Sequence, residues 1–210
     1  MQAGNDSGRR AYWLKTLHTW HWISSALCLL GMLLFSITGI TLNHAGSIEA
    51  KPQVTTHAGQ LPDALQQSMR EQAGRGDKAA ALPAPVQAWV RGQWQVVTGD
   101  RPAEWSEEEA YLSLPRPGGD AWLRISLEDG QVEYESTDRG WVSYFNDLHK
   151  GRHTGVAWSW FIDIFAVAAL LFSITGLFIL QMHAAKRPLT WPMVGMGVVI
   201  PLLLAMLFIH

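Results

Sequence analysis

An eight-residue phrase occurs twice in this chain of 210 residues, each time inside a long apolar run. Residues 33–40 read Leu-Leu-Phe-Ser-Ile-Thr-Gly-Ile, and residues 170–177 repeat them with Leu in the last place. Three apolar stretches, 22–42, 156–182 and 191–209, are long enough to cross a hydrocarbon core of about 30 Å at about 1.5 Å per residue. The sequence therefore predicts an α-helical membrane protein with three transmembrane helices, two of which share the repeat.

The ends of the apolar runs divide the chain into segments. The first run is too long for a cleaved signal peptide. We predict an N-terminal cytoplasmic tail over 1–15, transmembrane helices over 16–44, 153–183 and 191–210, a cytoplasmic loop over 184–190 and an external domain over 45–152.

Basic residues beside the spans predict the orientation of the chain. Short flanks rich in Lys and Arg stay in the cytoplasm, whereas long loops are translocated largely regardless of their charge. The short flanks hold Arg9, Arg10, Lys15, Lys186 and Arg187. We therefore expect the long loop to lie outside, in the periplasm if the cell has an outer membrane.

The long loop predicts a small α+β domain. Its expected elements are a helix over 60–72, a loop over 74–85, strands over 87–97, 109–114 and 120–127, and a helix from about residue 140. Asp129-Gly130 is typical of a hairpin turn within 125–132. We expect His57 to be solvated on a polar loop. Most of the tryptophans are expected in the core, with one or two on a docking surface for an aromatic ligand: Trp89, Trp94, Trp105 and Trp122.

Composition narrows the functional classes. The net charge of −2 gives no indication of nucleic-acid binding, and no nucleic-acid partner is expected. The single cysteine, Cys28, excludes a disulfide framework or a thiolate metal cage within one chain, so we interpret it as a packing residue. The long loop has no Ser/His/Asp set and no Gly-rich phosphate loop. The residues left to carry chemistry are the histidines.

Six of the eight histidines lie at the ends of the first two spans: His18, His21, His44, His149, His153 and His183. Two neutral imidazoles from facing helices can hold haem iron. Antiparallel helices bring the start of one beside the end of the other, so His18 and His183 are expected at matching depth on the inner side. His21, one turn from His18, is the alternative ligand.

The outer side offers a second set of histidines. His44 and His153 are expected to pair there, and His149, one turn farther out, is the alternative to His153. The six residues together predict two bis-His haem b sites, with His18, His44, His153 and His183 as iron ligands. A zinc or copper site and simple interfacial histidines are the alternatives. Whether His210 contributes stays open.

Two further features of the spans have packing explanations. Thr38-Gly39 and Thr175-Gly176 allow close approach of another helix or of a flat macrocycle, and both explanations stay open. Asp163 is costly within a span, so we expect it to face the helix bundle or a wet pocket. A structural hydrogen bond is favoured over a role in proton balance for this carboxylate.

The histidine-bearing segments resemble the PepSY-associated transmembrane helix family. The first segment, from His18 to Gly39, is the weaker match, and the segment from His149 through Trp160 and Asp163 to residue 177 is the specific one. Residues 125–132 are similar to the terminal hairpin of a PepSY-like domain. The resemblance implies a small PepSY-like periplasmic domain inserted between transmembrane helices 1 and 2, in a multi-pass protein of the bacterial inner membrane.

The family includes ferric-siderophore reductases that bind two haems through histidines. The resemblance therefore implies an oxidoreductase, a b-type cytochrome that passes electrons across the membrane to ferric iron or a ferric siderophore in the periplasm. The larger members have four or more spans. Since no cytoplasmic flavin or nicotinamide domain is recognised, the expected donor is a quinol or a separate protein, and a homo-oligomer stays open. The alternatives are a non-enzymatic PepSY-type regulator and an accessory subunit of an iron-uptake transporter.

Overall fold

The computed structural model describes residues 3–48 and 51–209 of the chain. His210 and parts of the predicted tail and domain, residues 1, 2, 49 and 50, lie outside this description. The helices are α1 Ala3–Asn43, α2 Asp63–Gly74, α3 Ala84–Trp94, α4 Gly140–Lys150, α5 Val156–His183 and α6 Thr190–Phe208, with a 3-10 turn at Ala184–Lys186. The strands are β1 Gln53–Gln60, β2 Glu104–Trp105, β3 Glu109–Ser113, β4 Gly119–Ser126 and β5 Gln131–Asp138.

Within the described ranges, three helical segments are long and apolar enough to span a membrane: Gly8–Asn43, Val156–Lys186 and Thr190–Phe208. A helix satisfies its own backbone hydrogen bonds, which is what a lipid environment demands. The predicted class, three membrane helices with a small α+β domain between the first and the second, is confirmed. The chain folds as two compact units, residues 1–35 with 160–210 and residues 36–159.

The first unit is held together by small and flat side chains that α1 and α5 present to each other. Cys28 is fully buried, which confirms its packing role. Gly31 leaves room for the ring of Phe165, which also stacks on Phe35 with ring centroids 4.9 Å apart. Because lipid is as apolar as leucine, such close packing, rather than the hydrophobic effect, holds membrane helices together.

Asp163 does not face this packed surface. Its side chain is exposed in the single chain, because Phe165 and Ala168 are the residues that α5 turns inward. Of the two places expected for Asp163, the face of the helix bundle is therefore wrong for the single chain, and the wet pocket stays a prediction. None of the described residues of α6 is buried either.

The second unit contains a five-stranded antiparallel sheet with strand order β1-β5-β4-β3-β2. Along β4, Ala121, Leu123 and Ile125 are buried while the residues between them are more exposed, so one face of the sheet is covered. Helices α2 and α3 contribute Met69 and Val90 to the core on that face. Burial of this alternating apolar set stabilises the domain and sets the register of the sheet.

Most of the predicted elements of this domain are confirmed, and two predictions are wrong. The strand predicted over 87–97 is part of helix α3. Trp and Val favour strands, but Val86 and Val90 are four residues apart and both face the core, while Pro83 caps the helix and Pro85 occupies its first turn. Tertiary packing therefore overrode local propensity.

His57 is exposed, as expected, but the prediction that it lies on a polar loop is wrong. It lies on β1, an edge strand in which only Gly59 is not exposed, so the strand has no apolar alternation to reveal it. The ring of His57 stacks with Trp94 and Tyr134, with centroids 5.8 and 6.0 Å away. The hairpin turn at Gly130, with φ of +74°, is confirmed.

Candidate functional site

The rings of His18 and His183 meet on the surface of the first unit. Their centroids are 6.4 Å apart and their planes are at 87° to each other. His18 lies on α1 and His183 is the last residue of α5, so the two helices run in opposite directions here. Both side chains are exposed. The structure thus brings together the pair expected on the inner side.

Hydrogen bonds set the tautomer of both imidazoles. Nδ1 of His18 lies 2.8 Å from the carbonyl oxygen of Leu14, and Nδ1 of His183 lies 2.8 Å from that of Ile179. A carbonyl oxygen only accepts, so each Nδ1 carries the hydrogen and the lone pair of the neutral ring is on Nε2. Bonding of the second ring nitrogen to a carbonyl is the usual arrangement for a metal-binding histidine.

The ring separation fits a bis-His haem. Two imidazoles on one iron, each with a metal–nitrogen bond of about 2 Å, have ring centroids about 6 Å apart. The separation of 6.4 Å between His18 and His183 agrees with this value. An edge-to-face ring contact without metal has a similar range, so the distance permits a haem without requiring one.

His21 lies in a different environment from His18. Its ring stacks on Phe172 with centroids 4.6 Å apart, and its Nδ1 lies 3.0 Å from Oγ1 of Thr175. A Cβ added to Gly176 would lie only 3.3 Å from Cε1 of the imidazole. His21 therefore fills a notch in α5 formed by Thr175 and Gly176, whereas the ring of His18 stays exposed at the side of the helix pair.

His149 fills the corresponding notch in the second unit. Its Nδ1 lies 2.6 Å from Oγ1 of Thr38, and its Cε1 lies 3.8 Å from where a Cβ of Gly39 would be. Each copy of the repeated Thr-Gly pair thus receives a histidine ring from outside its own helix. Sequence reasoning missed this pairing, although the repeat itself was the signal that could have revealed it.

The packing of α4 holds His149 in place. Oγ1 of Thr41 donates to Oδ1 of Asn146 at 2.7 Å, and the backbone N–H of Gly118 donates to Oδ2 of Asp147 at 2.9 Å. Asn146 and Asp147 are both buried. Because buried polar groups are costly when unpaired, these bonds fix the position of the helix that carries His149.

His44 and His153 are not brought together as the inner pair is. Nδ1 of His44 lies 3.0 Å from the carbonyl oxygen of Ile40, which leaves its lone pair on Nε2. His153 has a φ of +56° in the turn between α4 and α5. Over the ranges 3–48 and 51–209 no ring contact joins the two. The outer haem pairing stays a prediction.

A family model matches residues 12–210, nearly the whole chain. The chain belongs to the PepSY_TM-like family. The recognition from the histidine-bearing segments is thereby confirmed, and the PepSY_TM-like chain is a multi-pass membrane protein with a PepSY-type domain. No curated protein and no solved structure matches it.

The described part of this PepSY_TM-like chain contains no group of three or more His, Cys, Asp or Glu side chains placed to hold a metal ion. A zinc or copper site built in that way finds no support among these residues. A haem site of two imidazoles has fewer ligands, because the porphyrin supplies the other four donors to iron.

The tryptophans of the PepSY-type domain have separate environments. Trp105 is buried, and its Nε1 donates to the carbonyl oxygen of Ala80 at 2.7 Å. Trp122 is half-buried on the face of the sheet that α2 and α3 leave uncovered, where it stacks on Tyr111 and donates to Glu135 at 3.2 Å. Trp122 is thus the tryptophan best placed for an aromatic docking surface.

Proposed function

We propose that the protein is an inner-membrane b-type cytochrome that passes electrons across the bilayer and reduces ferric iron or a ferric siderophore on the side of the PepSY-type domain. The single observation that carries the proposal is the separation of 6.4 Å between the rings of His18 and His183. It agrees with two imidazoles sharing one iron.

The residues of the chain have definable roles at this inner site. His18 and His183 would hold haem iron through Nε2, and the haem, when bound, would supply reversible one-electron storage. The carbonyl oxygens of Leu14 and Ile179 orient the two rings and make them stronger ligands by accepting from Nδ1. The ring orientation is therefore set by the helices before any cofactor binds.

A second histidine site is needed, because a hydrocarbon core of about 30 Å is too wide for an electron to cross with a single cofactor. His44 would supply one ligand of the outer haem and His153 the other, with His149 as the alternative. His149 already bonds to Thr38 through Nδ1, which orients its ring in the way that His21 is oriented by Thr175. The proposal assigns two haems to the chain.

The substrate takes up one electron per iron, which converts Fe³⁺ to Fe²⁺. Hard oxygen ligands bind the reduced ion less tightly. Trp122 and Tyr111 offer an aromatic surface for a chelate that carries aromatic rings. The electron would come from a quinol or a separate donor protein on the opposite side. A homo-oligomer is compatible with this assignment, since α6 has no buried residue among those described.

The visible spectrum of the purified full-length protein tests this proposal. We expect paired b-type bands in the reduced-minus-oxidised difference spectrum, and their reoxidation when ferric siderophore is added. The double variant His18→Ala with His44→Ala should lose both the paired bands and their reoxidation by ferric siderophore. A colourless, folded wild-type protein after expression with haem precursor would overturn the cytochrome assignment.

The second candidate is a non-enzymatic regulator or accessory subunit of an iron-uptake transporter. The observation that favours it is the exposed edge strand β1, whose outer side has no neighbouring strand among the described residues and offers its backbone groups to an added strand from another protein. A colourless protein that binds a periplasmic partner through this edge would support the regulator and exclude the reductase.

A further inference from the structure

A groove lies between α1 and α5 at the end of the first unit that carries His18 and His183. It is lined by the apolar side chains of Trp13, Leu17, Phe178 and Met182 and by the two arginines Arg9 and Arg10. Its volume of about 570 Å³ is within the range of ligand-binding clefts. The lining is apolar apart from the two guanidinium groups.

The groove and the histidine pair lie on different flanks of the helix pair. An α-helix turns by about 100° per residue, so Trp13 and His18 fall on opposite sides of Leu17, which faces α5. The same holds on α5, where Phe178 and His183 lie on opposite sides of Met182. The groove is therefore separate from the proposed inner haem site.

Arg10 bridges the two helices that line the groove. Its Nη2 donates to the carbonyl oxygen of Met182 at 3.1 Å, which links α1 to the last turn of α5. A guanidinium has five N–H donors, and this bond uses one of them. Arg10 can therefore bridge α1 and α5 and still bind an anion beside Arg9.

We propose that this groove binds an anionic phospholipid, with its phosphate on Arg9 and Arg10 and one acyl chain along Trp13, Leu17 and Phe178. Guanidinium groups bind phosphate oxygens in a bidentate manner. Basic pockets between membrane helices are the usual seats of anionic headgroups, and a tryptophan such as Trp13 sits at headgroup depth. The apolar lining accommodates the chain.

A quinone is the other amphiphile that could enter such a groove. Its head carries no net charge, so it would leave two guanidinium charges unneutralised at the edge of the hydrocarbon. The two arginines therefore favour the phospholipid. Removal of the two arginine charges distinguishes the ligands by experiment, because it should weaken binding of the phospholipid and leave binding of a quinone unchanged.

Tryptophan quenching in nanodiscs tests the proposal on the full-length protein. Brominated phosphatidylglycerol, diluted into phosphatidylcholine, should quench wild-type fluorescence, and the quenched component should be missing in Trp13→Phe. Arg9→Gln with Arg10→Gln should weaken phosphatidylglycerol binding by about tenfold or more, given roughly fivefold per basic group. The matched control Lys186→Gln with Arg187→Gln makes the same charge change outside the groove and should leave Trp13 quenching nearly unchanged.

Three results would overturn the proposal. Equal losses in the two double variants would indicate general attraction of anionic lipid to basic flanks. Equal quenching by brominated phosphatidylcholine would indicate no headgroup selection. Displacement of the quencher by a water-soluble quinone analogue, at the same concentration in wild type and in Arg9→Gln with Arg10→Gln, would assign the groove to a quinone.

Discussion

His149 and Thr38 meet at 2.6 Å, Nδ1 to Oγ1, although 111 residues separate them in the chain. His21 and Thr175 form the matching contact at 3.0 Å across 154 residues. At Gly176 the missing side chain leaves the space that the imidazole occupies, whereas a Cβ at Gly39 would lie at an ordinary contact distance from the ring. Each copy of the repeated phrase therefore forms a packing site for one histidine ring.

The inner pair predicts a specific loss of cofactor. His183→Ala should remove one haem equivalent and leave the other, because His18 alone would remain to hold the inner iron. His57→Ala is the control, since His57 stacks with Trp94 and Tyr134 in the sheet domain. Haem content per protein is measured by the pyridine haemochrome assay. Unchanged haem in folded His183→Ala would exclude the assignment.

The two notches predict different responses to the same substitution. Alanine is favoured over glycine by about 1 kcal/mol in a helix interior. Gly39→Ala makes only an ordinary contact of 3.8 Å with His149, so its stability should be unchanged or higher. Gly176→Ala brings a methyl within 3.3 Å of His21, so it should be the less stable variant.

Thermal unfolding in detergent micelles measures both notch variants. The double variant Gly176→Ala with His21→Ala isolates the contact, because the added methyl then meets no imidazole. We expect the penalty of Gly176→Ala to disappear in that background. A persistent penalty, or a larger one at Gly39, would contradict the notch interpretation.

The outer site predicts a separation of electron entry from iron reduction. The double variant His149→Ala with His153→Ala, and separately His44→Ala, should block reduction of an external ferric chelate while the inner haem is still reduced by its donor. The spectrum of the inner haem and the formation of a ferrous complex are followed together. Two haems and full ferric reduction in the double variant would show that the outer site is misplaced.

The basic flanks predict the orientation of the chain in the membrane, and this orientation sets the direction of the proposed electron flow. A reporter fused after His183 should read as cytoplasmic, and one inserted near Gly74 should read as periplasmic. Gly74 ends α2, and a Cβ there would meet no atom within 4 Å, so the insertion should leave the domain folded. The opposite pattern of reporter activity would reverse the proposed flow.

The hairpin turn predicts a small pH effect outside the membrane. The Ser126 hydroxyl, and then the backbone N–H of Gln131, hold the pKa of the Asp129 carboxyl below its ordinary value of 3.8. A folded pKa below the unfolded one adds stability that is present above the unfolded pKa and is lost as the pH falls through the folded pKa. Ser126→Ala should raise the pKa of Asp129 in a carboxyl NMR titration, whereas Ser136→Ala should leave it unchanged. An unaltered pKa in Ser126→Ala would remove the assigned cause.

Local sequence accounts for much of the fold. Uninterrupted apolar length predicts the membrane helices, alternation along 120–127 predicts β4, and Asp129-Gly130 predicts the turn that follows it. The strand β1 carries none of these signals, because its residues are polar and it gains its place by pairing with β5. Helix α3 was misread because the residues that favour strands also pack well on a helix face.

Local sequence likewise accounts for one part of the candidate site, and tertiary packing accounts for the other. The sequence alone determined that histidines gather at the ends of two spans that share a motif, because hydropathy and composition belong to each residue separately. Only the tertiary structure decided that His18 meets His183 on an exposed flank while His21 enters the notch at Gly176. Residues three apart on a helix share one side, so spacing cannot say which of them a second helix will cover; that depends on which faces of the two helices pack together.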